Sequence, residues 1–227
     1  MRKRRTIGVI AIFIIVFVGS SIAFADINYG IKGGISIMKI SASTSSGNSA
    51  TISSESLVGF VGGIYGYSNI ANNSIIQGEL LYVTKGSKTD YSSLGIDTIE
   101  NDRIMYLEIP ILIKYIFVKS SNYNISLYAG PSLSLFLNMV YQLTGTDADY
   151  LASTLGVPTN GTYKDRGLEM HNFDFNLCFG FDAGYELSRG KLKIDLRYDL
   201  GLTDIYKSDT DITYTNRGFL IMAGYEF

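Results

Sequence analysis

The chain has 227 residues, 19 basic and 21 acidic side chains, one cysteine and one histidine, for a formal net charge of −2. That balance provides no basic surface for nucleic acid, and a single cysteine excludes an intramolecular disulfide. Metal centres built on imidazole or thiolate clusters are likewise unsupported, and no cofactor is expected.

In chain order, Arg2, Lys3, Arg4 and Arg5 precede the uncharged run from Ile7 to Val18, and Ala23 and Ala25 then form a small-x-small pattern. Residues 1–25 read as a secretory signal peptide that is cleaved. A membrane-spanning helix would need roughly 20 apolar residues, which this run lacks. Residues 26–227 read as one domain, because no Pro, Gly or charge-rich linker divides them. After cleavage 15 basic residues face 21 acidic ones, so the exported product is acidic.

Apolar residues then alternate with polar or small ones, the period of a strand with unlike faces. Eight segments show it: Ile27 to Ile40, Glu55 to Tyr67, Ser74 to Lys85, Asp102 to Phe117, Tyr123 to Tyr141, Leu168 to Leu187, Lys191 to Tyr206, and Ile212 to Phe227. Each can supply the roughly 9–11 residues of a tilted membrane strand. The links alternate in length. "SNIANN", "VKSSN" and "SRG" are short, whereas "SASTSSGNSATISS", "GSKTDYSSLGIDTIEN", Gln142 to Gly167 and "KSDTD" are longer and polar. Short turns on one rim and longer loops on the other are expected of an outer-membrane barrel. Both mature termini then lie on the periplasmic side.

The sense of the alternation follows from side-chain size. In "FDFNLCFGFDAGYE" one face is Phe173, Phe175, Leu177, Phe179, Phe181, Ala183 and Tyr185; the other is Asp174, Asn176, Cys178, Gly180, Asp182, Gly184 and Glu186. Short polar side chains suit the narrow inside of an eight-stranded barrel, so the apolar face needs lipid. The expected fold is all-β, an eight-stranded antiparallel up-and-down transmembrane β-barrel, closed, with a polar, plugged lumen. That lumen is assigned Lys32, Gln77, Glu79, Glu108, Lys114, Asp182, Glu186, Lys193, Asp195, Arg197 and Asp199. Both signs are present in comparable numbers and can neutralise one another. Tyr29, Tyr115, Tyr185, Tyr225 and Phe227 take outward parity near the short turns and termini, as membrane-interface aromatics do. Tyr82 and Phe173 are assigned to the opposite girdle. Pro110 and Pro131 fall inside strands and are expected to sit at bulges, since each removes a ladder N–H.

"IQGELLYVTKGSK", "YLEIPILIKY", "AGPSLSLFL", "LRYDLGLTDIY" and "NRGFLIMAGYEF" resemble, in order, the strand motifs of the PorT-like outer-membrane β-barrel family of Bacteroidetes. The most specific pieces are Glu-Leu-x-Tyr followed by Lys-Gly, and Leu-Glu-Ile-Pro. The resemblance implies an eight-stranded barrel in a Gram-negative envelope, within the porin-like superfamily. It also implies that Tyr225 and Phe227 form the terminal aromatic signal read by the barrel-assembly machinery. Some members of that family are linked to protein secretion; no motif here is tied to that role.

Catalytic chemistry has few candidates. His171 alone offers imidazole, Ser153 and Asp165 lie in a loop, and "MHNF" lacks a His-x-Ser pair. The Asp147/Asp149 and Asp209/Asp211 pairs are oxygen-rich but isolated. The reading is therefore a non-enzymatic outer-membrane barrel that serves envelope structure or binding at the cell surface. Its partners are outer-membrane lipid and a surface ligand at the loop Gln142 to Gly167, where "DADYLASTLG" suggests a short helical turn. The alternatives are a narrow passive channel, a secretion-linked component and, further off, a lipid-modifying enzyme.

Overall fold

The computed structural model describes residues 27–44, 54–207 and 211–227. The signal-peptide reading of residues 1–25, much of the first long link and Asp209 lie outside them. Nine strands form: β1 (Asn28–Thr44), β2 (Ser54–Ala71), β3 (Ser74–Asp90), β4 (Ile99–Lys119), β5 (Tyr123–Thr144), β6 (Asn160–Thr162), β7 (Phe173–Glu186), β8 (Lys191–Gly201) and β9 (Ile212–Glu226). Eight of them close an antiparallel ring, β1 to β5 and then β7 to β9, with β9 pairing back onto β1 from Gly30–Glu226 to Thr44–Ile212. β6 adds three residues to one end of β5. A closed ring leaves no strand edge unpaired along its length, which is why barrel closure removes the need for edge protection.

The alternation read from sequence sorts the two faces. Along β8, Leu192 and Ile194 point outward and are exposed, while Asp195, Arg197 and Asp199 point inward and are buried. β7 does the same with Phe173, Leu177, Phe179 and Phe181 outside and Asp174, Asn176, Cys178 and Asp182 inside. The outer wall thus bares aliphatic and aromatic side chains all round, the reverse of a water-soluble barrel.

Several boundaries move, some because backbone pairing continues past the apolar alternation and others because it stops short of it. β3 runs on to Asp90 and β4 starts at Ile99, so half of "GSKTDYSSLGIDTIEN" is strand. Its unpaired part shrinks to residues 91–98 around one 3₁₀ turn, Ser92–Leu94. The sixth segment begins at Phe173 rather than Leu168, and the seventh ends at Gly201 rather than Tyr206. The freed residues turn over the barrel mouth instead, with Met170 bridged to Tyr206 and Ile205 buried.

The bulges expected at Pro110 and Pro131 are absent from those positions. β3–β4 pairing stops at Gly78–Ile111 and resumes at Leu81–Glu108 without a shift, so the N–H missing from Pro110 costs a bond on the β3 side only. Pro131 keeps its place opposite Leu177 of β7, while β4–β5 pairing lapses between Pro110–Ser132 and Ile113–Ala129, again in register. The bulges of the β4–β5 pair fall elsewhere, at Met105/Tyr106 and Ile116/Val118. The first carries an extra residue in β5, leaving Leu137 outside and turning Met139, Tyr141 and Leu143 inward.

The loop Gln142 to Gly167 is more ordered than its polarity suggested. It contains the end of β5, helix α1 (Ala148–Leu155), β6 and a 3₁₀ turn, Tyr163–Arg166. Leu143, Ala148, Leu151 and Ala152 bury a small core against Tyr91 and Ile96, which fixes this lobe to the β3–β4 link.

Candidate functional site: a charged lumen under a structured rim

The polar inward residues meet in three tiers. Nearest the chain ends, Glu226 accepts from Tyr67 Oη at 2.8 Å and is paired with Lys193 at 3.1 Å and Lys191 at 3.3 Å. The Tyr65 and Tyr67 rings both face the Lys193 ammonium. Glu186 stands at this mouth, half-exposed, and pairs with Lys191 at 2.9 Å.

In the middle tier Lys32 Nζ lies 2.8 Å from Glu79 and 2.7 Å from Asp195. Arg197 Nη2 donates to both oxygens of Glu79 at 2.9 Å and sits 3.4 Å from Asp195. Its Nε donates to Tyr128 Oη at 3.2 Å, and Tyr128 in turn donates to Asp195. Gln77 donates to Glu79, and Lys114 pairs with Asp182 while facing the Tyr128 ring. Lys32, Glu79, Asp195 and Arg197 thus close a loop of two cations and two anions drawn from β1, β3 and β8. Desolvated charge is tolerated only in such compensated geometry.

The upper tier centres on Lys85, 2.7 Å from Glu108 and 3.5 Å from Asp199. Ser134 donates to Glu108 and Asn176 donates to Ser134. Asp174 accepts from Asn216 at 3.0 Å and Thr203 at 2.9 Å. Glu108, Cys178 and Asp199 offer ligand atoms within 4.8 Å of one another. The Lys85 ammonium already occupies the cation position beside Glu108, so this trio is read as a polar cluster and not as a metal centre. Alongside the tiers, Met38, Val61, Leu81, Val83, Leu220 and Met222 pack an apolar wall. Above them Ile40, Ile104, Tyr106, Met139, Met170 and Ile205 cap the lumen.

Sequence reasoning missed Lys85, Asn216 and the buried tyrosines, and placed Asp174 and Asn176 on the inward face without assigning them to the lumen network. Lys85 was within reach, since the odd-numbered parity of Gln77 and Glu79 continues through "LLYVTK" to it. Asp174 and Asn176 stood on the polar face of the seventh strand as quoted. Met139 and Tyr141 were hidden by the bulge at Leu137, which no local pattern announces.

The missed feature with the clearest chemistry is on the rim. Arg166, at the end of the 3₁₀ turn, stacks on the Tyr141 ring at 3.8 Å, pairs with Glu100 and approaches Asp102 at 3.4 Å. Tyr91 Oη donates to Glu100 at 2.6 Å. The outward residues on either side of Asp102 are Asn101 and Arg103, so this cluster lies beyond the apolar band. Burial first, and then the adjacent Glu100 carboxylate, push Asp102 up to about 8 despite Arg166. The residues considered for nucleophilic chemistry are engaged locally: Asp165 accepts from Thr162, Ser153 donates to the Tyr150 carbonyl, and His171 is exposed. Asp147 accepts from the Asp97 N–H at 2.8 Å.

At one end of the barrel, the outward aromatic residues gather. Tyr29, Tyr115, Tyr185 and Phe227 are all more than half exposed, and the Phe227 ring contacts Tyr29 and Tyr225 at centroid distances of 5.7 and 5.4 Å. Tyr225 Oη donates to the Arg189 carbonyl. Tyr82 and Phe173 are exposed as well.

A closed ring, apolar outside and charged inside, narrows the family to barrels that sit in lipid. The family model described as outer membrane protein beta-barrel domain matches residues 20–207. The chain belongs to this outer-membrane β-barrel family. No curated protein sequence matches it. Among solved structures, it is similar to the attachment invasion locus protein Ail of Yersinia pestis, at 10% identity and TM-score 0.39, covering 88% of this chain and 98% of that one. It is also similar to the outer membrane protein OprG from Pseudomonas aeruginosa, at 9% identity and TM-score 0.47, covering 88% and 95%. The outer membrane protease OmpT from Escherichia coli follows at 10% identity and TM-score 0.49, covering 89% and 96%. As a member of the outer-membrane β-barrel family, the chain is a bacterial outer-membrane protein, and its exposed apolar wall is the lipid-facing surface.

Proposed function

We propose that this barrel is a non-enzymatic, non-conducting member of its family, closest in kind to PorT-like proteins, that anchors a rigid rim for binding outside the cell. The observation that carries this reading is the filled cross-section: Lys32, Glu79, Asp195 and Arg197 reach across the lumen and pair with one another, with the Lys85–Glu108 pair above them. An ion crossing here would have to break several desolvated pairs at once. Both barrel ends of the chain face the periplasm in this reading, residues 1–25 direct export, and Tyr225 and Phe227 present the terminal aromatic signal to the assembly machinery.

The rim supports the binding half of the proposal. α1 is held by its own small core, yet Tyr150 and Leu155 on it, and Leu94 nearby in the β3–β4 link, stay exposed. Rigid, solvent-exposed apolar side chains on a loop scaffold are the usual material of a recognition surface. Planar-bilayer recording of the purified protein tests the closed lumen. We expect no steady unitary currents; a stable single-channel conductance contradicts the proposal.

A further inference from the structure

The outward face of the β1–β9 pair is graded. Ile35 opposes Ile221 and Ile37 opposes Phe219; the next outward pair is Lys39 opposite Arg217, followed by Ser41 opposite Thr215 and Ser43 opposite Thr213. Apolar, cationic and hydroxyl rungs succeed one another on a single strip of wall. Two like charges directly opposed across a sheet repel, and among the described residues neither makes an ion pair: β1, β7, β8 and β9 place no Asp or Glu on their outward faces, and Glu55 of the neighbouring β2 is paired with Lys88. Lys39 is exposed. Arg217 donates only a long 3.3 Å bond to Thr215 Oγ1, and among the described residues its buried Nε–H has no acceptor. The contrast is the Glu55–Lys88 pair on the outer rim, where opposite charges meet at 2.9 Å.

We propose that Lys39 and Arg217 clamp the phosphate of a phosphorylated glycolipid of the outer leaflet. Its acyl chains lie on Ile37 and Phe219, and its sugar hydroxyls lie beside Ser41 and Thr215. The order of the rungs is the order of the lipid's own parts: hydrocarbon, phosphate, sugar. Arg supplies a planar fork and Lys a point charge, the two cations that phosphate recognition commonly combines. The hydroxyl rungs favour a sugar head over a small glycerol one. This inference rests on the outer-membrane placement and not on the closed lumen, so a conducting barrel would leave it standing.

The test reconstitutes the full barrel into bilayer nanodiscs containing equal traces of lipid A, enzymatically dephosphorylated lipid A and phosphatidylglycerol, and counts retained lipid by native mass spectrometry. Wild type is expected to retain lipid A over both others. K39Q/R217Q is expected to lose that preference, by about five-fold per basic residue removed. K88Q is expected to keep it. Folded protein is selected by heat-modifiable gel migration, and K39Q alone, expected to show the partial loss, stands in if the double variant does not fold. Added inorganic phosphate is expected not to displace the lipid. Equal retention of the dephosphorylated form, equal retention of phosphatidylglycerol, displacement by free phosphate, or an unchanged preference in the variants would each overturn the assignment.

Discussion

Replacing Arg197 with methionine is expected to destabilise the folded barrel by about 3–5 kcal/mol, the range measured when one partner of a buried charge pair is removed. Methionine matches much of the arginine stem, so the loss is one of charge and donors rather than volume. Arg197 is buried and serves Glu79 twice, Asp195 and Tyr128 at the same time. Without it, Glu79 and Asp195 share the single cation Lys32, and one carboxylate is left desolvated and under-compensated. Urea unfolding in detergent-free vesicles, read by heat-modifiable migration, measures the effect. Adding Glu79→Gln restores one cation against one anion, and the double variant should recover more than about 1 kcal/mol of the loss, as coupled neighbours do. A cost below about 1 kcal/mol for R197M would mean the network is not the compact, desolvated one described.

The second large effect is expected at Gly130. A Cβ at this position would lie 1.9 Å from the Ile111 carbonyl oxygen, a backbone atom that cannot swing away. It falls where Pro131 has already removed a ladder bond, so β4 and β5 stay together by close backbone approach instead. Gly130→Val should therefore cost about 3 kcal/mol or more, at or above the top of the usual overpacking range, with folding yield falling alongside. Gly78 makes the contrast, since a Cβ there meets nothing within 4 Å and points outward. Gly78→Val should stay within about 0.5 kcal/mol of wild type. The same unfolding assay distinguishes the two.

The comparison of these positions shows why some of the structure was legible in sequence and some was not. Parity is a local property, so "KLKIDLRYDL" declares which side chains share a wall, and chain-long alternation with sorted link lengths declares a barrel. Partnering is a property of the shear between strands: nothing near Lys32 in sequence points to Glu79 or Asp195. The prolines were read as bulge sites because a missing N–H must be absorbed. A two-sided strand can lose it on one side and keep register from the other, as Pro131 does through Leu177. The rim was read as loop because its residues are polar, yet hydrogen bonding and the small α1 core order it with few apolar groups.

The central claim is directional: the hydrocarbon side chains meet lipid and the charged ones are enclosed. Carbene photolabelling of the unmodified protein from acyl-chain probes in a bilayer, mapped by mass spectrometry, addresses it without any substitution. The account predicts adducts on Ile31, Ile35, Phe179, Phe181, Leu192, Ile194 and Phe219, and none on Lys32, Glu79, Asp195 or Arg197. Adducts on the charged set, with the aliphatic set unlabelled, would contradict it.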